Sequence, residues 1–172
     1  MYKKQTGLIF SLVLFPSLIY CQQDNYKNYI SLDEKFSLNV PAEWYDLELN
    51  DEAIIQVGNE VLEQYLILLS DEKIDLYGWN LQKHSYMTFS QIISNLQDPI
   101  INGPKYFKIN NYDSVQHEVE GAFENFKVVY IHTVIETEDS FSQILTWTLK
   151  SKFSSNEEVF RNVIASFRNK DK

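Results

Sequence analysis

Cysteine is almost absent from this 172-residue chain. Cys21 is the only one, so no disulfide framework can brace the fold. Glycine and proline are scarce, at five and four residues, which excludes a low-complexity chain apart from short ends. Basic side chains are outnumbered, 15 against 24 acidic, for a net charge of −9. Such a surface repels phosphate backbones and anionic bilayers, so no nucleic-acid partner is expected. No apolar run reaches the roughly 20 residues that a membrane-spanning helix needs. The sequence also lacks a Gly-rich phosphate loop, HExxH, GxSxG and CxxC. Neither a catalytic residue nor a cofactor is therefore expected, and the chain does not read as an enzyme.

What is present begins at the N-terminus. In residues 1–21, Lys3 and Lys4 precede an apolar run from Leu8 to Phe15, and a short tail from Pro16 to Cys21 gives way to polar Gln22. That order of charge, apolar run and cleavage region is the layout of a secretory signal peptide, and it predicts export to the periplasm or beyond. Leu18-Ile19-Tyr20-Cys21 has the outline of a lipidation signal, which would place an acyl anchor on Cys21. Tyr20 departs from it, because the residue before an acylated cysteine is small. Ordinary cleavage after Cys21 would instead expose Gln22 as the new terminus, and this soluble release is the preferred reading. Only a lipid on Cys21 would tie the chain to a membrane. After removal of residues 1–21, 13 basic side chains face 24 acidic ones.

The rest reads as a flexible lead-in over 22–30 and one domain over 31–169. Phe36, Leu38 and Val40 alternate with polar residues, as in a half-buried strand ended by Pro41. Val61–Leu69 fits a helix face or a strand buried on both sides; the turn signal Gly58-Asn59 favours a strand returning from a hairpin. A helix is expected to start at Thr88 as a cap, with Phe89, Ile92, Ile93 and Leu96 on one face, and to stop at Asp98-Pro99. A second is expected from Ser155, with Glu158 completing a capping box and Val159, Phe160, Val163, Ile164 and Phe167 as its stripe. Between them Lys105–Ile109, Asp113–Phe123, Phe126–Thr137 and Phe141–Phe153 read as a meander turning at Asn110-Asn111, Glu124-Asn125 and Glu138-Asp139-Ser140. Runs of strands with two helices give an α+β class, an antiparallel sheet with helices packed on it.

Phe36-Ser37-Leu38-Asn39-Val40-Pro41 with Trp44 forms an opening strand followed by Pro-x-x-Trp. Phe160-Arg161-Asn162-Val163-Ile164-Ala165-Ser166-Phe167 forms a closing helix that ends in Ser-Phe. This pairing, with the long hairpins between, resembles the PsbP-like fold family. Its members include the extrinsic photosystem II protein, a Ran-binding nuclear import factor, and many bacterial secreted proteins and lipoproteins. The resemblance implies a sheet between helices and a role in binding a protein partner or in envelope assembly. It carries over no catalytic, metal or cofactor residues.

Three candidate binding residues remain. If Glu124-Asn125 is a symmetric two-residue loop, His117 faces His132 among Val115, Val119, Tyr130 and Val134. Two imidazoles at cross-strand distance could share a ligand or titrate together, although neutral packed rings are the commoner use of such a pair. Trp79, in a loop sequence, is the best candidate for an exposed aromatic contact, whereas Trp147 reads as core. Asp71, Glu72 and Asp75 lack the spacing of a calcium loop. A small apolar ligand held between sheet and helix is the alternative function, and an enzyme of unknown class the third.

Overall fold

The computed structural model describes residues 25–170. The signal segment and the cleavage or lipidation residues Cys21 and Gln22 lie outside these residues. A seven-stranded antiparallel sheet runs in the order β3 (Tyr45–Asp46), β4 (Ile55–Asn59), β5 (Gln64–Glu72), β9 (Ser140–Leu149), β8 (Phe126–Glu136), β7 (Tyr112–Phe123) and β6 (Gln97–Ile109). A smaller sheet pairs β1 (Tyr26–Ile30), β2 (Phe36–Pro41) and β10 (Arg168–Asn169). Helix α1 (Leu81–Ser94) packs on one face of the large sheet; α2 (Phe153–Ala165) and the small sheet cover the other. This is the α+β architecture that the alternation of strands and the two helical stripes predict.

The larger core lies on the α2 side. Leu66, Leu68, Ile131, Ile135 and Ile144 from the sheet meet Phe160, Val163 and Ile164 from α2, with Leu38, Val40, Trp44 and Phe167 closing the layer. Each such side chain contributes about 1.5–3 kcal/mol when removed from water. A buried polar chain runs through this core. Trp44 Nε1 donates to Gln64 Oε1 at 2.7 Å, and Gln64 Nε2 donates to Asn156 Oδ1 at 2.9 Å. Asn156 Nδ2 then donates to Thr148 Oγ1 at 2.9 Å, so the loop after β2 is tied to β5, β9 and α2. At the rim, Arg161 of α2 donates to Gln116 Oε1 and Glu118 Oε2, both at 2.9 Å, which fixes the helix against β7.

Several local expectations need correcting. The lead-in expected over 22–30 is in its second part a strand, because β1 pairs with β2 from Tyr26↔Pro41 to Ile30↔Ser37. Thr88 is not a cap. Asn80 starts α1 by accepting from Lys83 N at 2.9 Å, and Thr88, two turns in, bonds back to His84 O. The helix stops at Ser94, and Asp98-Pro99 falls inside β6 at a bulge. Helix α2 begins at Phe153 without a side-chain cap, because the 3₁₀ turn Lys150–Lys152 leads straight into it; Ser155 Oγ donates to Lys152 O instead. Residues 60–63 form the turn, and β5 starts at Gln64.

The hairpin signals hold closely. Asn110 and Asn111 have φ of 49° and 74°, the left-handed pair that a two-residue hairpin with strand-matching twist needs. Asn110 does more than turn. Its Nδ2 donates to Ala165 O at 3.2 Å and Phe167 O at 2.7 Å, and so satisfies carbonyls at the end of α2. Asn110→Gly keeps a residue suited to the turn and removes only those bonds. Urea unfolding should show a loss of about 1 kcal/mol; unchanged stability would mean that the side chain contributes nothing beyond its backbone shape.

Candidate functional site

The sheet register places the two candidate histidines where the symmetric loop predicts. Phe123 pairs with Phe126, and His117 with His132. Their ring centroids are 6.2 Å apart and the planes are inclined by 31°. Phe89 of α1 lies on both, 4.2 Å from His117 and 5.8 Å from His132. The third histidine joins them, because α1 starts early enough to include His84 on its inner face. All three are buried, at 1% (His84), 8% (His117) and 1% (His132) exposure.

A chain of polar contacts leads from this pocket to the surface. His132 Nε2 lies 3.4 Å from Gln143 Oε1 and 3.2 Å from Thr88 Oγ1. Gln143 Nε2 donates to Asp71 Oδ2 at 3.0 Å, which orients its carbonyl oxygen toward His132. The same carboxylate oxygen is 2.8 Å from His84 Nε2. The tautomers that satisfy these contacts carry the proton on Nε2 of His84 and His132; the assignment rests on the network. Nδ1 of each then remains a bare acceptor, and neither has a partner in the structure. Ser85 Oγ approaches His117 Nδ1 at 3.4 Å.

The electrostatics follow from the burial. Loss of hydration pushes His132 down to about 3, and neighbouring His117 and His84 push the same way against the Gln143 hydrogen bond. Burial also lowers His117. The hydrogen bond from His84 holds the Asp71 carboxyl below its ordinary value, with Gln143 adding to it. The site is thus a neutral imidazole pair joined through an amide to a surface carboxylate. Among the described residues no group of three or more His, Cys, Asp or Glu side chains is placed to hold a metal ion.

The remaining aromatic candidates separate. Trp79 is half-buried against the smaller core of Leu81, Val115, Val134 and Phe141, edge-on to His84 at 6.0 Å, with Lys83 Nζ 4.9 Å from its ring. It is not the exposed contact its loop sequence suggests. Trp147, expected in the core, is only half-buried and stacks on Tyr65 at 5.4 Å. The missed partners are His84, Thr88, Phe89 and Gln143. A helix read from Asn80 would have placed His84, Thr88 and Phe89 on one face of α1; Gln143 had no signal beyond its place in a strand.

The apolar exposure lies elsewhere. β6 is the outer strand beside β7 and is open along nearly its whole length. It presents Ile100 at 68% and Tyr106 at 60% exposure, with Ile101 and Phe107 also exposed. Its pairing with β7 slips by a residue twice, between Gln97 and Ile100 and between Asn102 and Lys105, close to Pro99 and Pro104. Bulges and prolines are the usual means of stopping an open edge from extending without limit. By contrast, a 340 Å³ hollow where β5 ends beside the β8–β9 turn is lined mainly by charged and polar groups, among them Lys35, Glu72, Lys73 and Asp139.

No family model matches the chain, and no characterised protein sequence does. Solved structures match it over most of its length. Cyanobacterial PsbP (CyanoP) from Synechocystis sp. PCC 6803 superposes with a TM-score of 0.63 at 10% identity, over 85% of this chain and 93% of that one. LpqN, involved in cell envelope biogenesis of Mycobacterium tuberculosis, gives 0.61 at 9% identity, over 83% and 89%. The Saccharomyces cerevisiae Ran-binding protein Mog1p gives 0.59 at 12% identity, over 84% and 95%. The likeness is one of fold: the chain has the PsbP-like architecture that its opening strand and closing helix resemble.

Proposed function

We propose that this chain is an exported, non-catalytic binding domain whose partner is a protein, engaged along β6, in a role such as envelope assembly. The carrying observation is the open outer strand with Ile100, Ile101, Tyr106 and Phe107 in solvent. Large apolar side chains on both faces of a free strand edge, Ile101 with Tyr106 on one and Ile100 with Phe107 on the other, suit an extended partner segment, with main-chain bonds for affinity and side chains for selection. The charge of −9 disfavours nucleic acid as that partner. Two proteins of the same fold, one Ran-binding and one involved in envelope biogenesis, support a binding role. The layout of residues 1–21 supports export, with a mature chain beginning at Gln22.

The buried histidines do not favour catalysis. His84 and His132 are each only 1% exposed between α1 and the sheet, and their Nδ1 atoms are fully buried, out of reach of a substrate. Site-specific photo-crosslinking in intact cells tests the reading. A probe at Tyr106 should give one discrete protein adduct, and Ile101→Lys should abolish it. The same probe at Ile74, an exposed residue remote from β6, should give none. A smear of products at both positions, or none at Tyr106, would overturn the proposal.

A further inference from the structure

A second surface, on the face that carries α1 but away from the helix, has a chemistry of its own. Directly opposed residues cross five adjacent strands there: Tyr45↔Gly58, Gly58↔Tyr65, Tyr65↔Trp147 and Trp147↔Tyr130. Three of the rings are in contact, and Tyr45 stands apart from them across Gly58. Tyr65 and Trp147 stack at 5.4 Å and 14°, and Trp147 and Tyr130 lie 6.0 Å apart. All are exposed or half-exposed.

One end of this row is acidic. Tyr45 Oη donates to Glu60 Oε2 at 3.0 Å, and Tyr65 Oη donates to Glu63 Oε2 at 3.1 Å. Burial first, and then the hydrogen bond to Glu63 and the charges of Glu63 and Glu60, raise the Tyr65 hydroxyl to about 12. Between the two tyrosines stands Gly58, which adds no side chain to the row. A Cβ at that position would meet the Gln64 carbonyl oxygen at 2.1 Å and Leu47 Cδ1 at 2.9 Å, so the floor between the rings is a backbone carbonyl beside a leucine methyl, a surface that suits a cationic N–H donor. Tyr65 stacks on Trp147 on one side, and Gly58, its register partner on the other side, brings no ring to it.

Electron-rich rings beside carboxylates attract a cation. Elsewhere the molecule makes that pairing from its own side chains: Lys73 over Phe141, Lys83 over Trp79 and Lys150 over Phe153. Among the described residues, no lysine or arginine is placed over Tyr65, Trp147 or Tyr130. Anions are repelled by Glu60 and Glu63, and a neutral planar ligand would leave both carboxylate charges uncompensated. We infer that the gap between Tyr45 and Tyr65 is a binding site for the guanidinium or ammonium group of a basic peptide segment, with Glu60 and Glu63 as its counter-charges. The site is independent of β6, so it stands or falls apart from the proposal above.

Titration of the mature protein with tetra-arginine amide, followed through the indole N–H signals, tests it. The Trp147 signal should move saturably and the buried Trp44 signal should stay. Glu60→Gln with Glu63→Gln should weaken binding about ten-fold, as should Tyr45→Leu, an exposed change that leaves the core intact. Asp75→Asn with Asp139→Asn, equal in charge but beyond the far end of the β5–β9 pairing, should change it less than two-fold. Equal weakening by both pairs would reduce the effect to overall charge and overturn the site. So would a stationary Trp147 signal, or an equal response to tetra-glutamate amide or a chito-oligosaccharide.

Discussion

Lowering the pH from 7 to 4.5 should destabilise the fold by about 2–3 kcal/mol through His132 alone. Its folded value, about 3, lies below the 6.5 of an unfolded histidine. Between those values the unfolded chain binds the extra proton and the folded chain does not. Stability is therefore full above 6.5, falls with pH at roughly 1.4 kcal/mol per unit, and levels near 3. His117, also lowered, adds in the same direction. The structural cause lies in the geometry. A proton on His132 Nδ1 would create a buried donor, and that atom has no partner. The groups facing it are His84 and Thr88 from α1, His117 from β7 and Gln143 from β9; none of these is an anion. The nearest carboxylate, Asp71, lies beyond Gln143. Its own contribution is lost only as pH falls through its depressed value, below 3.8, so it belongs to a more acidic window. Urea unfolding at successive pH values should show the slope in the native chain and a flatter profile in His132→Gln. Parallel profiles would place the acid sensitivity elsewhere.

The second large effect is expected at Trp44. It is fully buried, meets Phe160 edge-on at 6.3 Å, and donates to Gln64. Trp44→Ala should lose about 3–5 kcal/mol, from the transfer of the side chain and the space it leaves. In a chain of this size that corresponds to a fall in Tm of about 10 °C or more. Trp44→Phe separates the two contributions. It keeps most of the volume but strands Gln64 Oε1, and should cost about 1–3 kcal/mol. A Phe variant as stable as the native protein would show that the Gln64–Asn156 chain re-forms without the indole.

Much of this was legible in the sequence where the signal is local. The turns at Asn110-Asn111 and Glu124-Asn125, the alternation around them, and therefore the His117–His132 register follow from two-residue loops and a period of two. The helix starts were not. Thr88 and Ser155 have the chemistry of caps, but Asn80 and a preceding 3₁₀ turn supply the starts, and only tertiary context chooses between such alternatives. Trp147 shows a different limit. Alternation says that it shares a face with Leu145 and Leu149, but not that α1 leaves that part of the face open. His84 shows the third: its neighbours come from β5 and β9, and no spacing along the chain announces Asp71.

The strand order has a kinetic consequence. β6 to β9 join as successive hairpins, and β3 to β5 join likewise, so both groups are made of chain neighbours. Only the β5–β9 pairing unites them in the large sheet, through contacts such as Gln143 to Asp71, 72 residues apart. Closing that seam carries the largest loop entropy within the sheet. Substitutions in the hairpins should then register mainly in how fast the chain unfolds, and those at the seam in how fast it folds, if the seam forms the nucleus. The aromatic row crosses this seam at Tyr65 and Trp147, so the indole that marks the basic-peptide site would also time the joining of the two halves.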